Sequence, residues 1–239
     1  MGAVTDLTTA LLDPILAADP AGPRITYYDA ATGERIELSA VTLANWAAKT
    51  ANLLSDEFAL MPGARVSVLL PAHWQTAAVL LGAWWAGLEV TLDADPDADA
   101  ALVTVDRLDD VADAPEVAVL SLDAFGRPVP DLPVGITDYA TAVRVHGDQF
   151  RPTGSGAAAL DGRSIDDVLS SARAAAAADG VGSSDRVLST RSWSTPDELI
   201  AGLISVLAVG ASLVQVNNPD ADAIERRVGA EKITAQISR

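Results

Sequence analysis

Two stretches constrain the fold of this chain more than any others. Arg65–Leu70, RVSVLL, is apolar at nearly every position and is stopped by Pro71. A strand without a polar face must be covered on both sides, which is the situation of a parallel sheet sandwiched by helices. Leu199–Val216, LIAGLISVLAVGASLVQV, is apolar for about the length a membrane span needs. Glycines interrupt it, however, and its pattern changes from helical to strand-like at Gly210, so it reads as a buried helix followed by a buried strand.

These stretches belong to segments that share a plan. In the first, Arg24–Tyr28 and Glu34–Ser39 read as strands joined by a hairpin through Asp29–Gly33. A helix from Val41 to about Phe58 carries Leu43, Trp46, Ala47, Thr50 and Leu54 on its inner face, and Met61-Pro62-Gly63 stops it. The strand Arg65–Leu70 follows, then a very apolar helix Gln75–Ala86, a stop at Gly87, and a strand Glu89–Leu92. In the second segment, Ser164 with Asp167 opens a helix to about Ala178, ended by Gly180. Arg186–Ser189 is a strand, and Thr195-Pro196-Asp197-Glu198 is a strong helix start, with Thr as cap, Pro next and Glu at the third position. That helix reaches Val209, Gly210 ends it, and Ala211–Val216 is a strand. Ser39 to Ser164, Arg65 to Arg186 and Gly87 to Gly210 are separated by 125, 121 and 123 positions. Such a steady offset predicts two related α/β units with mostly parallel sheets flanked by helices. The competing reading is that any two strand–helix–strand segments with Gly-terminated helices look alike. The expected division is 1–147, including the hairpin, and 148–239, packed as one body. Between the two segments, Ala101–Val105 and Val117–Leu120 read as strands, Phe125–Val134 as an irregular crossing and Ile136–Arg144 as a short helix; Lys232–Ile237 is a candidate final strand.

With 33 acidic against 16 basic residues the net charge is −17, so nucleic acid and anionic membrane surfaces are poor partners. The acidity either serves solubility or offers a docking face to a basic partner. There is no cysteine, which excludes disulfides and thiolate metal sites. The opening MGAVTDLTTALLDPILAADP lacks the basic start of a secretory signal, and Gly2 is not followed by Ser or Thr at the sixth position, where a myristoylation signal has one. A cytoplasmic protein is expected.

The stretch ITYYDAATGERIELSAVTLANWAAKTANLLSDEFALMPGARVSVLLPAHWQTAAVLLGAWWAGLEVTL resembles the start of an adenylate-forming enzyme, the superfamily of acyl-CoA synthetases, adenylation domains and luciferases. The Thr26-Tyr27 strand, PGARVSVLLP and AGLEVTL carry the likeness, and SSDRVLST with LISVLAVGASLVQV resembles the part that follows the superfamily's phosphate loop. The chain also resembles a short actinobacterial branch of that superfamily. The resemblance implies the fold of the large N-terminal domain. It implies further that an active member would join a carboxylic acid to AMP using ATP and then pass the acyl group to CoA. The superfamily's phosphate loop is rich in Ser, Thr and Gly and ends Pro-Lys-Gly. Here RPTGSGAAALDGRS, Arg151–Ser164, stands in its place, and no lysine occurs between Lys49 and Lys232. In one register Thr153, Gly154, Ser155 and Gly156 are what remains of the loop. In the other, favoured here, Ala157–Leu160 is the preceding strand, the loop has shrunk to Asp161-Gly162-Arg163, and Ser164 caps the next helix. A phosphate cradle needs several N–H groups converging on one anion, with a cation beside it; Asp161 puts a carboxylate there instead, which Arg163 offsets only in part. The superfamily's later motifs, for adenine, ribose, the hinge and the catalytic lysine of the C-terminal domain, have no counterpart, and Lys232 falls in a predicted strand.

The reading is thus a truncated, non-catalytic relative that binds a small carboxylate or nucleotide ligand or a partner protein, with a homodimer as one form. No catalytic residue, no metal and no cofactor are expected. The alternatives are an active AMP-forming ligase with a rearranged loop, which would use ATP and magnesium, or one half of a split ligase. His146-Gly147-Asp148 suggests either acid–base chemistry or a local hydrogen bond, and His73 is the only other histidine. Asp109-Asp110 and Asp166-Asp167 point to different faces and make no carboxylate pair, the latter suiting a helix N-terminus. DADPDADA lacks the glycine and final glutamate of a calcium loop and reads as a solvated turn. Trp84 and Trp85 point about 100° apart on a helix, so one is core and the other core or a subunit contact.

Overall fold

Asp6 opens the chain's first helix by accepting hydrogen bonds from the Thr9 N–H and hydroxyl, both at 2.7 Å. The structure is a computed structural model and describes residues 6–238. Met1 and Gly2, weighed above for a lipid signal, lie outside that range. Helix α1 (Leu7–Ala18) buries Leu7, Leu11, Leu12 and Ile15. Sequence reading assigned nothing here, because Pro14 inside the helix hides it, although the leucine spacing was the available signal.

The remaining elements are β1 (Pro23–Asp29), β2 (Arg35–Ser39), α2 (Ala40–Asn52), β3 (Arg65–Leu69), α3 (Trp74–Trp85), β4 (Glu89–Thr91), β5 (Ala100–Val103), β6 (Val117–Val119), β7 (Thr137–Asp138), α4 (Tyr139–Ala142), α5 (Ile165–Ala178), β8 (Arg186–Ser189), α6 (Pro196–Leu199), α7 (Ser205–Ala208), β9 (Ser212–Asn217), α8 (Ala221–Ala230) and β10 (Ala235–Ile237). A π-helical turn, Ile200–Ile204, joins α6 to α7, so the predicted single helix is there with a wide turn in it. Another π turn, Leu53–Glu57, ends α2.

The chain divides into two compact units. One holds the described residues up to Thr9, Ala44–Leu70 and Ala78–Ile165; the other holds Ala10–Leu43, Pro71–Ala77 and the chain from Asp166 onward. This differs from the single boundary expected between 147 and 148. The reason is a long-range pairing. Strand β1 lies parallel to β9, from Ile25 opposite Leu213 to Asp29 opposite Asn217, and takes the β1–β2 hairpin with it into the second unit.

The first unit contains a parallel sheet of order β4-β3-β5-β6-β7. Its strands are almost wholly buried, with Leu69, Ala101, Val103, Val117 and Val119 in one core cluster, as both-face coverage requires. The second unit contains a sheet of order β10-β8-β9-β1-β2, parallel except for its hairpin edge. The order β5-β3-β4 in one unit matches β10-β8-β9 in the other. The helices between the matched strands end alike. Gly87 (φ 77°) follows α3, and Leu88 N–H reaches back to Ala83 O at 3.0 Å; Gly210 (φ 81°) follows α7, and Ala211 N–H reaches Val206 O at 3.0 Å. Both are six-to-one closures that need a left-handed residue, which glycine supplies without strain. The repeated plan is therefore that of an α/β protein with two related, mostly parallel sheets flanked by helices.

Lys232 corrects one expectation. It lies not in a strand but at the end of α8, with φ 53°, where Ile233 N–H reaches Val228 O at 3.0 Å. Strand β10 starts three residues later. Ile136–Arg144 is likewise divided, into the two-residue strand β7, helix α4 and a 3₁₀ turn Val143–Val145. The Asp138 side chain caps α4 by accepting from Thr141 N–H at 2.7 Å.

Candidate functional site

The stretch Arg151–Ser164 lies in the first unit, and local chemistry fixes its shape. Leu160 forms a single parallel bridge to Val90 of the edge strand β4, with Val90 N–H donating to Ala159 O at 3.0 Å and Asp161 N–H donating to Val90 O at 2.9 Å. The chain then reverses. Arg163 N–H donates to Leu160 O at 2.9 Å, and Ala159 N–H donates to Arg163 O at 2.8 Å. Asp161 and Gly162, the two central residues, have φ of 45° and 77°. Positive φ at both is the signature of the tight hairpin turn for which Asp-Gly is the preferred pair.

The amides of this turn are all engaged. Besides the two just named, Gly162 N–H donates to the Glu89 carboxylate at 2.9 Å. Glu89 sits at the start of β4, and its other oxygen lies 3.4 Å from the Arg65 guanidinium, which also pairs with Asp95 at 2.9 Å. The hydrogen bond that Arg65 donates to Asp95 and the nearby carboxylates raise the Arg65 pKa; the Asp95 pKa is lowered by the Asp97 N–H and by Arg65. The turn thus carries the carboxylates of Asp161 and Glu89, and Arg65, which faces Glu89, is shared with Asp95. Sequence reasoning missed Glu89, because only the strand pairing brings it to the turn.

Thr153–Gly156 runs without regular structure, and its glycines have a packing role. Gly156 N–H and Gly63 N–H both donate to Gly87 O, each at 2.9 Å. A Cβ on Gly87 would come within 2.5 Å of Gly154 O, and one on Gly156 within 2.9 Å of the Gly63 Cα. The gap between Ser155–Gly156 and the end of α3 measures only 10 Å³, the space of about one water. Thr153 and Ser155 are exposed; Ser164 directly precedes α5, whose first turn carries Asp166 and Asp167. The Thr153–Gly156 segment therefore packs against the chain just before β4, and the turn follows beside β4 itself.

The other candidate groups are dispersed. His146 faces Glu57 at 3.1 Å, not Asp148, and its carbonyl accepts from the Lys49 ammonium at 2.6 Å. His73, in the second unit, is buried, accepts from Gln75 N–H at 3.2 Å and packs edge-on against Tyr27 at 4.4 Å. Burial first, then Asp29 and Glu34, pushes the Tyr27 hydroxyl pKa up. Asp110 pairs with Arg107. In DADPDADA, Asp95 accepts from Asp97 N–H at 2.9 Å and Asp99 from Arg65 N–H at 2.8 Å. Among the described residues no group of three or more His, Asp or Glu is placed to hold a metal. Trp84 is the core member of its pair, its indole N–H donating to Ala159 O at 2.8 Å; Trp85 is half-buried against Phe150, ring centroids 6.1 Å apart. No helix among the described residues is long and apolar enough to cross a membrane.

No protein-family model matches the chain. It is 62% identical over 237 residues to a TIGR03089 family protein of Mycobacterium tuberculosis, covering 96% of this chain and 97% of that one. Among solved structures it resembles an acyl-CoA synthetase of Brucella canis, with TM-score 0.82 and 17% identity over 98% of this chain and 47% of that one. An anthranilate CoA ligase, AuaEII, in complex with anthranoyl-AMP gives TM-score 0.76, 14% identity and coverage of 98% and 49%. A benzoate CoA ligase of Burkholderia xenovorans gives TM-score 0.72, 17% identity and coverage of 98% and 50%. The fold is that of the N-terminal part of adenylate-forming enzymes, and the chain spans about half the length of these structures.

Proposed function

The chain belongs to the TIGR03089 family, and from that premise we propose that it is a non-catalytic, cytoplasmic binding protein built on the adenylate-forming scaffold. It would hold a small ligand or a partner protein rather than activate a carboxylate. One observation carries this reading: the turn at Asp161–Arg163 has no amide to spare for a phosphate. Its three N–H groups go to Val90 O, the Glu89 carboxylate and Leu160 O. A triphosphate arriving there would displace a carboxylate from an amide and meet the charges of Asp161 and Glu89, which the one cation of the turn, Arg163, offsets only in part. Anion sites at backbone turns work the opposite way, with free N–H groups converging on the ligand. The glycines of Thr153–Gly156 do not replace it, since their lack of side chains serves close packing against Gly63 and Gly87.

Isothermal titration with ATP, AMP and acyl-adenylate analogues, each with and without magnesium, tests the reading. Silence is the expected result. Magnesium-dependent ATP binding in the micromolar range overturns it in favour of the ligase alternative.

A further inference from the structure

The second unit contains a cleft that the turn at Asp161 does not involve. It measures 850 Å³ and opens at the amino ends of β1, β8 and β9. In parallel α/β sheets ligands ordinarily sit at the opposite, carboxyl ends, so this is not the usual crevice of the fold. One wall is apolar: Leu11, Pro14, Ile15 and Ala18 from α1, with Val209. The other side is polar, with the cations Arg24, Arg186 and Lys232 and the carboxylates Asp19, Asp185 and Glu231, together with hydroxyls such as those of Ser183 and Ser184.

The charges on the polar side are unequal in their commitments. Asp185 accepts from Gly182 N–H and the Thr234 hydroxyl, both at 2.7 Å, and these bonds lower its pKa. Glu231 accepts from Tyr28, Arg35 and Arg186. Among the cations Arg186 is matched by Glu37 and Glu231, and Arg24 and Lys232 are less fully matched. Arg24, which also lines the cleft, is 6% exposed; it donates to the carbonyls of Gly210 and Ala211 at 2.6 and 2.8 Å, and its buried Nε has no partner. It forms no ion pair among the described residues, and burial lowers its pKa despite Asp19. Lys232 likewise makes no ion pair among the described residues. It is one of two lysines in the chain and occupies a left-handed position, φ 53°, that favours glycine. A protein of net charge −17 thus lines one cleft with an ammonium that has no ion pair among the described residues and a buried guanidinium on which Asp19 acts without forming an ion pair.

We infer that this cleft binds an organic anion with a short apolar tail. The charged head lies beside Lys232, within reach of the Ser183 and Ser184 hydroxyls, and the tail lies along α1. The size is that of ordinary small-molecule sites. The inference deepens the binding-protein reading and rests on it, but its test uses other residues and other probes. Magnesium-dependent ATP binding would defeat that reading and leave this site standing; failure here would leave the reading of the Asp161 turn untouched.

The test is titration of the full chain with anilinonaphthalene sulfonate, a fluorescent anion with an apolar body, followed by displacement with octanoate, octyl phosphate and octylamine. A saturable site is expected, displaced by octanoate or octyl phosphate and not by octylamine; whichever anion competes better identifies the head group. Lys232→Gly separates a binding role from a structural one. Glycine relieves the left-handed strain, so the variant should melt no lower than the native chain, while probe affinity falls about tenfold. Ser184→Trp, at an exposed position, should block the cleft and abolish the saturable phase. Absence of saturable binding to the native chain, unchanged affinity in both variants, or equal displacement by octylamine overturns the inference.

Discussion

Glu231 joins α8 to the sheet of the second unit, and replacing it by glutamine should cost about 2 kcal/mol in a pH-dependent way. Its carboxylate accepts from the Tyr28 hydroxyl, from Arg35 at 3.0–3.1 Å and from Arg186, whose Nε also donates to the Glu231 carbonyl at 2.8 Å. Burial by itself would raise the pKa of this carboxyl. The bonds from Tyr28, Arg186 and Arg35 outweigh that and bring it from 4.5 down to about 2. The difference corresponds to about 3 kcal/mol of folding stability. The Arg35 side chain is 45% exposed, and solvent screening brings the figure to about 2 kcal/mol. Because the folded pKa is depressed, the stabilisation is complete above the unfolded value near 4.5 and fades as the pH falls towards 2. Urea unfolding of native and Glu231→Gln chains, followed by circular dichroism at pH 7 and pH 3.5, checks this. The gap between them should narrow by about 1 kcal/mol at the lower pH. Comparing the two proteins at each pH cancels the general relief of negative charge near the isoelectric point of 4.2. A gap of the same size at both pH values, or none at pH 7, refutes the reasoning.

Gly87→Ala should destabilise by about 3 kcal/mol, combining a left-handed alanine with a Cβ 2.5 Å from the Gly154 carbonyl, as read by the unfolding midpoint. Thr195→Ala removes the hydroxyl that accepts from Glu198 N–H and should cost about 1 kcal/mol in the same assay; no loss would show that Pro196 and the Glu198 bond to Ser194 N–H suffice to start α6. Pyrophosphate exchange across a panel of carboxylic acids should remain silent, and exchange above background with any of them would revive the ligase alternative.

Where a feature depends on neighbours within a few residues, it could be read directly. Gly87, Gly180 and Gly210 end their helices as expected, each with positive φ. The Asp29–Gly33 hairpin and the Asp161-Gly162 turn rest on the same local preference, and Thr195 caps because its own φ and side chain allow it. Helix α1 was not read, since Pro14 breaks the local rule while Leu7, Leu11 and Leu12 are held by burial. Lys232 was misplaced for a related reason: a lysine is an unusual left-handed closing residue, and the glycine signal that marked the other helix ends was missing.

The sequence alone determined the layer type, because strands such as Val117–Leu120 have no polar face and helices such as the one before Gly87 stop at glycine. Tertiary structure alone decided which distant groups meet. Sheet pairing carried β1 to β9, Glu89 to the Gly162 amide, and Arg24 to the carbonyls after α7, across separations of 73 to 187 residues for the last two. Local propensity acts over a few residues of chain. Side-chain partners are chosen by register across a sheet, and register is fixed only when the whole core packs.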